Sequence, residues 1–147
     1  MLAEYRLHRG RVTTAAFSVD GTKVTSAGED RQLVRFDIAS GQTEWQRELG
    51  RSKLMSMCLI NDSMVAVAGA DNSIRLFDAL LDSVVAHLEG HSGTVAVMAP
   101  CGEFLASGSF DTTVRIWDLK TVEKVSEGAP RPVMHAPLKM DTELRIR

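Results

Sequence analysis

Cysteine and net charge are both scarce in this sequence. Of its 147 residues only Cys58 and Cys101 are cysteines, and no metal-ligand or redox spacing relates them. The net charge of -2 is too small to predict long-range attraction to nucleic acid or to an anionic membrane. Neither the cysteines nor the charge therefore point to a metal, redox or nucleic-acid function.

Long apolar segments are also missing. No run of about eighteen apolar residues occurs, so the sequence predicts no membrane-spanning helix. The N-terminal residues carry Glu4, Arg6 and Arg9 and have no apolar core, which does not fit a secretory signal. We expect an intracellular protein, cytoplasmic or nuclear, that has no membrane partner.

No helical hydrophobic period persists along the chain, but an internal repeat is present. Three segments, 28–37, 69–78 and 109–118, align without gaps. Each has an Asp at its third position and a second Asp seven residues later. The second Asp advances by 41 residues and then by 40, a period typical of repeat architectures.

Each copy is composed of short apolar runs separated by turn residues. Residues 95–98 and 114–117 are typical of strands, and Asp20-Gly21 and Cys101-Gly102 are typical of turns. The pattern predicts about four strands in each copy and an all-β fold. Further strands are predicted at 3–7, 43–49, 82–88 and 121–126.

The chain divides into a repeat domain and a tail. Residues 128–147 contain Pro130, Pro132 and Pro137 and no repeat, which is typical of a tail or linker. The repeat domain covers 1–127, with a first strand at 3–7 and repeats at approximately 8–49, 50–89 and 90–127.

The repeat resembles the WD-repeat (WD40-type) family of β-propellers, which has Gly-His early and Trp-Asp late in each copy. The third copy carries both marks, Gly90-His91 and Trp117-Asp118. The first copy has His8 and Phe36-Asp37, and the second has Phe77-Asp78. The resemblance covers residues 3 to about 126. It implies three four-stranded antiparallel blades that form a partial or oligomer-completed β-propeller.

Side chains hold the turn between the second and third strands of each blade in this family. The resemblance implies that Asp111 accepts a hydrogen bond from His91, which also meets Ser107. The indole N–H of Trp117 completes the network. Such partners avoid a cost of roughly 1–3 kcal/mol for each unsatisfied buried polar group.

The other two copies keep only parts of this network. The first copy has His8, Ser26 and Asp30, but a Phe stands at the Trp position and cannot donate a hydrogen bond. The second copy keeps only Asp71. We hypothesise that an ion pair between Asp71 and Arg51 substitutes in part for the missing network.

Ser107, His91 and Asp111 are also the residue types of a hydrolase triad. Ser107 lies inside a predicted strand, and the same three types recur in the first copy, as expected for a structural device. His87 and His91 are four residues apart like zinc ligands on a helix, but Gly90 interrupts any helix here. We predict no catalytic residue, no metal site and no cofactor.

Partners of this family dock on the loops before the first strand and between the second and third strands. Here these loops are more basic than acidic, and Phe110 is the candidate apolar anchor. The candidate partner-binding residues are Arg9, Arg11, Glu29, Arg31, Arg51, Lys53 and Phe110.

The resemblance implies a non-enzymatic scaffold that presents propeller loops to partner proteins in a larger assembly. The alternative is a recognition module for acidic or phosphorylated peptides, or for RNA, that uses the basic loops. RNA has the weaker support because no aromatic residues interleave with the cations.

Three copies are fewer than the four to eight blades with which propellers typically close. The chain either pairs with itself, completes the propeller of a partner, or is a piece of a longer protein. We expect a partial propeller that another chain completes.

Overall fold

The computed structural model describes residues 4–122, and these residues form eleven strands and no helix. Apolar runs make the strands, and tight turns end them: Gly102, at φ 56°, lies in the two-residue turn that follows β9. The strands are β1 (Val12–Phe17), β2 (Lys23–Gly28), β3 (Gln32–Asp37), β4 (Thr43–Glu48), β5 (Leu54–Leu59), β6 (Met64–Gly69), β7 (Ile74–Asp78), β8 (Ser83–Leu88), β9 (Val95–Cys101), β10 (Phe104–Ser109) and β11 (Val114–Asp118).

The strands form three antiparallel sheets, which we call blades one, two and three. Blade one has the order β1-β2-β3-β4, blade two β5-β6-β7-β8 and blade three β9-β10-β11. The predicted all-β class and the antiparallel blades are confirmed. Residues 121–122 of the strand predicted at 121–126 form no strand, and the remainder lies outside the described residues.

The structure has no strand at residues 4–7, where the sequence predicted one at 3–7. Tyr5 instead lies on the face of blade one, with its ring centroid 4.8 Å from that of Phe36. The Tyr5 hydroxyl donates a hydrogen bond to the carbonyl oxygen of Ile38 at 3.0 Å. A strand needs a free sheet edge to pair with, and this segment is held by side chains across a sheet face.

Each blade has two faces because alternate residues of a strand point to opposite sides. On blade two, Val65, Val67 and Phe77 share one side, which we call the front face. Ala66 and Leu76 pair on the opposite side, the back face. All five residues are at most 5% exposed, so blade two is covered on both sides.

The blades pack front to back. The front face of blade two forms one apolar cluster with Ala27 and Leu33 of blade one. The back face of blade two forms a second cluster with Leu105 and Trp117 of blade three. Each large apolar side chain buried in these clusters contributes about 1.5–3 kcal/mol, so the two interfaces dominate the stability.

The first strands of the three blades lie side by side, β1 next to β5 and β5 next to β9. The Thr13 hydroxyl donates a hydrogen bond to the carbonyl oxygen of Leu54 at 3.0 Å. The Ser56 hydroxyl donates a hydrogen bond to the carbonyl oxygen of Val95, also at 3.0 Å. The first strand of each blade therefore lies at the contact between neighbouring blades.

Candidate interaction rim and its supporting network

One end of the blades is built from two kinds of connection, and we call it the rim. It combines the loop before the first strand of each blade with the turn between the second and third strands. One backbone hydrogen bond joins loop to turn at the same position in every blade. These bonds are Glu29 N–H to Arg11 O at 2.8 Å, Ala70 N–H to Lys53 O at 2.8 Å, and Phe110 N–H to Thr94 O at 3.0 Å.

The aspartates of the repeat shape these turns. Asp111 Oδ1 accepts the backbone N–H of Thr113, two residues later, at 2.9 Å. The intervening Thr112 has a left-handed backbone with φ 69°. The other blades repeat this geometry, with φ 68° at Arg31 and 64° at Asn72. The side-chain acceptor supports a backbone conformation that non-glycine residues seldom adopt.

In blade three the structure brings together all four residues of the implied network. Trp117 Nε1–H donates to Ser107 Oγ at 2.8 Å, and Ser107 Oγ lies 2.8 Å from His91 Nε2. His91 Nδ1 lies 2.7 Å from Asp111 Oδ2. These distances fit a chain in which the Ser107 hydroxyl donates to His91 Nε2 and the His91 Nδ1–H donates to the Asp111 carboxylate.

Asp111 is held in its ionised form by four hydrogen bonds. The Thr113 hydroxyl lowers the pKa of Asp111 most, and burial opposes this effect. His91 and the backbone N–H groups of Thr113 and Ser92 lower it further, so the pKa of Asp111 lies well below its ordinary value. The negative charge is therefore part of what fixes the rim turn of blade three.

Blade one keeps three members of the network in the same geometry. His8 Nε2 lies 2.8 Å from Ser26 Oγ, and His8 Nδ1 lies 3.0 Å from Asp30 Oδ1. Burial raises the pKa of Asp30, but hydrogen bonds from His8 and from the N–H groups of Arg9 and Gln32 outweigh burial and leave it lowered. The network holds without an indole donor.

Blade two uses a different device, and the hypothesis of an Asp71–Arg51 ion pair is wrong. Asp71 forms its ion pair with Arg75, on β7 of the same blade. Burial raises the pKa of Asp71, but Arg75 together with hydrogen bonds from Ser52 and Ser73 outweighs burial and leaves the pKa lowered, so the carboxylate stays charged. The sequence held a signal for this pair. Alternate residues of a strand share a face, so Arg75 lies on the front face with Phe77, the face that carries the network residues in the other blades.

The distances among Ser107, His91 and Asp111 match those of a hydrolase triad, but a substrate could not reach these side chains. Ser107 is 1% exposed and His91 is 7% exposed. The Ser107 hydroxyl already accepts from Trp117, so its oxygen faces a donor and not open solvent. Among the described residues no three side chains of metal-ligating type converge on a possible metal site. The network is suited to holding a turn.

Ion pairs neutralise much of the predicted basic rim. Glu29 pairs with both Lys53, at 2.9 Å, and Arg11. Lys53 and then Arg11 lower the pKa of Glu29, which keeps this bridge between blades one and two charged. Arg31 pairs with Glu48 at 2.9 Å.

Three of the predicted partner-binding residues are exposed and lie outside these ion pairs. Arg9 and Arg51 are exposed and have no ion pair within residues 4–122. Phe110, on blade three, is 75% exposed. The structure therefore places the predicted partner-binding residues at one end of the blades, with Phe110 as a solvent-facing apolar group.

This repeat matches a known protein family. A family model described as "WD domain, G-beta repeat" matches residues 1–37 and 82–118, which together span just over half of the chain. The chain belongs to the WD-repeat family. The matched segments contain the network residues of the first and third WD repeats, and the three blades are WD-type blades of a partial propeller.

Several curated proteins are similar to most of this chain. Telomerase protein component 1 of Rattus norvegicus is 27% identical over 128 residues, 84% of this chain and 5% of its own length. U3 small nucleolar RNA-associated protein 21 of Saccharomyces cerevisiae is 29% identical over 120 residues, which are 80% of this chain and 13% of its own length. Ribosome biogenesis protein YTM1 of Podospora anserina is 32% identical over 134 residues, which are 84% of this chain and 27% of its own length. The chain thus spans only a small part of each relative.

Within the described residues no helix is long and apolar enough to cross a membrane.

Proposed function

We propose that this chain is a non-enzymatic scaffold that presents its rim to partner proteins within a larger assembly. The observation that carries the proposal is Phe110, which is 75% exposed and directly precedes Asp111, the residue through which the buried network holds this rim turn. A rigid turn with a solvent-facing aromatic ring has the character of an interface anchor. The network itself is fully engaged in structure, which supports a role without catalysis.

The names of the relatives support membership in assemblies. They include a telomerase protein component, a ribosome biogenesis protein and a small nucleolar RNA-associated protein. Because this chain spans at most 27% of these three relatives, we transfer the general class and no partner. A cytoplasmic or nuclear location stays a prediction.

Loss of the rim anchor tests the proposal. Proteins bound to the wild-type chain in cells are compared with those bound to Phe110→Ser and to a matched control, Leu80→Ser. Leu80 is 83% exposed and lies in the β7–β8 turn, at the end of the blades opposite the rim. We expect partners to be lost from Phe110→Ser and kept by Leu80→Ser. Equal retention by both variants contradicts the proposal.

A second candidate function is recognition of acidic or phosphorylated peptides, or of RNA. Arg9 and Arg51 favour it, because their guanidinium groups have no carboxylate partner among the described residues. The probes are a multiply phosphorylated peptide and a single-stranded RNA, each titrated at several salt concentrations. We expect binding that weakens steeply with salt and is lost in Arg9→Ala/Arg51→Ala. Salt-independent binding, or none, contradicts this candidate.

A further inference from the structure

Arg35 breaks the residue pattern of the repeat. In the aligned segments its position is occupied by Leu76 in blade two and by Ile116 in blade three. Leu76 lies on the back face of its blade, packs against blade three and is 5% exposed. Arg35 lies on the same face of blade one, between blades one and two, and is 6% exposed. A buried guanidinium therefore stands where the repeat places an apolar side chain.

The guanidinium of Arg35 is only partly bonded. Its Nη1 donates a hydrogen bond to the carbonyl oxygen of Asp62 in blade two at 2.5 Å, and its Cζ lies 5.8 Å from the centre of the Trp45 ring. Its Nε is buried and has no hydrogen-bond partner among the described residues. The Oε2 atom of Glu44 is 4.0 Å from Nε, which is too far for a hydrogen bond. The edge formed by Nε and Nη2 therefore has no acceptor within the described part of the chain.

Arg35 forms part of a cleft at the junction of blades one and two. The cleft has a volume of about 710 Å³, which is the size of a small-molecule site. It lies at the end of the blades opposite the rim, because residues of the β1–β2, β5–β6 and β7–β8 connections line it. Trp45 and Ala79 supply apolar walls, and both pack against the cluster that joins the two blades. The cleft thus combines a buried cationic donor with apolar walls, as sites for organic ligands do.

The charges around the cleft favour a ligand with a single negative charge. The cleft is lined by two cations and three carboxylates, which are Lys23, Arg35, Asp20, Glu44 and Asp62. Lys23 forms an ion pair with Glu44, and Asp20 and Asp62 are exposed at turns where solvent screens their charges. Arg35 is left as the buried cation with no carboxylate in hydrogen-bond contact. A phosphate dianion would be repelled by the three carboxylates more than a monoanion, so a carboxylate ligand fits better.

We propose that this cleft binds a ligand that has one carboxylate and an apolar body. The carboxylate takes the Nε–Nη2 edge of Arg35 in the bidentate geometry that a guanidinium favours, and the apolar body packs on Trp45. The Glu44 side chain beside Nε is 40% exposed, so it turns outwards with Lys23 to admit the ligand. A small organic acid and the C-terminal residue of a peptide both have this chemistry. The site is separate from the rim and goes beyond the proposed scaffold function.

The test follows the indole NMR signals of the full 147-residue chain during titration with two acids. The probes are 3-phenylpropionate and a blocked tripeptide that ends in a free leucine carboxylate, each compared with its uncharged amide. Trp45 lines the cleft, whereas Trp117 is bonded in the buried network of blade three and serves as the internal reference. We expect an acid to shift the Trp45 signal saturably, and its amide to leave both signals unchanged. A shift with 3-phenylpropionate alone indicates a small-acid site, and a shift with the peptide alone indicates a site for a chain terminus.

Three variants separate carboxylate binding from a structural role of Arg35. Arg35→Leu introduces the residue type of the equivalent Leu76, so we expect the chain to stay folded and carboxylate binding to weaken by roughly 100-fold. Glu44→Gln removes the competing carboxylate beside Nε, and we expect it to strengthen binding by roughly 10-fold. Arg47→Leu is the matched control, because Arg47 pairs with Asp82 at the same blade junction and lies outside the cleft lining. We expect this control to bind as the wild type does.

Several results would overturn the inference. They are no Trp45 shift with either acid, equal shifts with acids and amides, unchanged binding in Arg35→Leu, or weaker binding in Glu44→Gln. Thermal unfolding verifies the fold of each variant. Arg35→Lys serves as a second variant, because it keeps the charge but lacks the planar fork, and we expect it to bind more weakly than the wild type. If carboxylate binding is absent but the Phe110-dependent partners remain, the cleft site is wrong and the proposed scaffold function stands.

Discussion

Two serines at the same position of their blades have different numbers of partners. Ser107 accepts the indole N–H of Trp117 and lies 2.8 Å from His91 Nε2. Ser26 lies 2.8 Å from His8 Nε2, and Phe36 replaces the indole beside it. The repeat therefore contains its own comparison of a four-membered and a three-membered network.

Removal of the two hydroxyl groups is expected to cost unequal stability. Ser107→Ala leaves both the Trp117 donor and the His91 ring nitrogen unpaired in a buried site, at roughly 1–3 kcal/mol for each. Ser26→Ala leaves only the His8 nitrogen unpaired, so its cost is about half. Urea denaturation of both variants measures the difference. Equal losses would show that the indole bond contributes nothing.

The pH dependence of stability is expected to follow the network carboxylates. Hydrogen bonds hold the pKa of Asp111 below its ordinary value of about 3.9. A lowered pKa means that the ionised group stabilises the fold at pH above about 4 and that this contribution is lost as the pH falls. Asp111→Asn should therefore be less stable than the wild type at pH 7, but it should lose less stability than the wild type when the pH is lowered.

Thermal melts of wild type and Asp111→Asn between pH 7 and pH 2 measure this effect. We expect their melting temperatures to converge at low pH. Asp30→Asn is the matched variant in blade one, where the carboxyl pKa is also lowered, and the same sign is expected. Parallel curves at every pH would mean that the carboxylates contribute no differential stability.

At the scale of elements, two phenylalanines have different roles. Phe77 on β7 is 2% exposed, and its ring lies 5.5 Å from that of Trp45 on the neighbouring blade. Phe110, in the β10–β11 turn, is 75% exposed. One ring joins two blades, whereas the other is available to a partner.

Truncation of these two rings should separate stability from binding. Phe77→Ala is expected to cost about 3–5 kcal/mol because it opens a cavity between blades one and two. Phe110→Ala is expected to change the free energy of unfolding by less than about 0.5 kcal/mol. Urea denaturation measures both values. A loss of several kcal/mol in Phe110→Ala would make it a core residue and remove it from the rim.

Elements with local determinants were predictable from the sequence. The Asp spacing located the β2–β3, β6–β7 and β10–β11 turns, since an Asp side chain accepts the N–H two residues on. Alternating apolar runs gave the strands. The ion pair of Asp71 with Arg75 and the side-chain anchoring of Tyr5 depend on tertiary contacts, which the sequence pattern did not resolve.

The rim charges show the same limit. Sequence spacing indicated a basic rim, but it did not reveal that Glu29 bridges Arg11 of one blade to Lys53 of the next. That bridge depends on how two blades pack, and it leaves Arg9 and Arg51 as the rim cations without an ion pair in the described residues. Composition alone therefore overestimated the charge open to a ligand.

At the scale of the whole molecule, the three blades differ in coverage. Blade two contacts another blade on both faces, whereas blades one and three each contact one other blade. Residues Val65, Ala66, Val67 and Ala68 of β6 are all fully buried. On β11, by contrast, Val114 and Ile116 are largely exposed. The stability of a single chain should therefore decrease from its centre to its ends.

Hydrogen exchange on the wild-type chain tests this gradient. Amides of β6 and β7 should exchange most slowly, because local opening there must expose two apolar interfaces. Amides of β10 and β11 should exchange faster than those of β6 and β7, since opening of blade three exposes only one apolar interface. Equal protection in the three blades would mean that the chain unfolds as one unit.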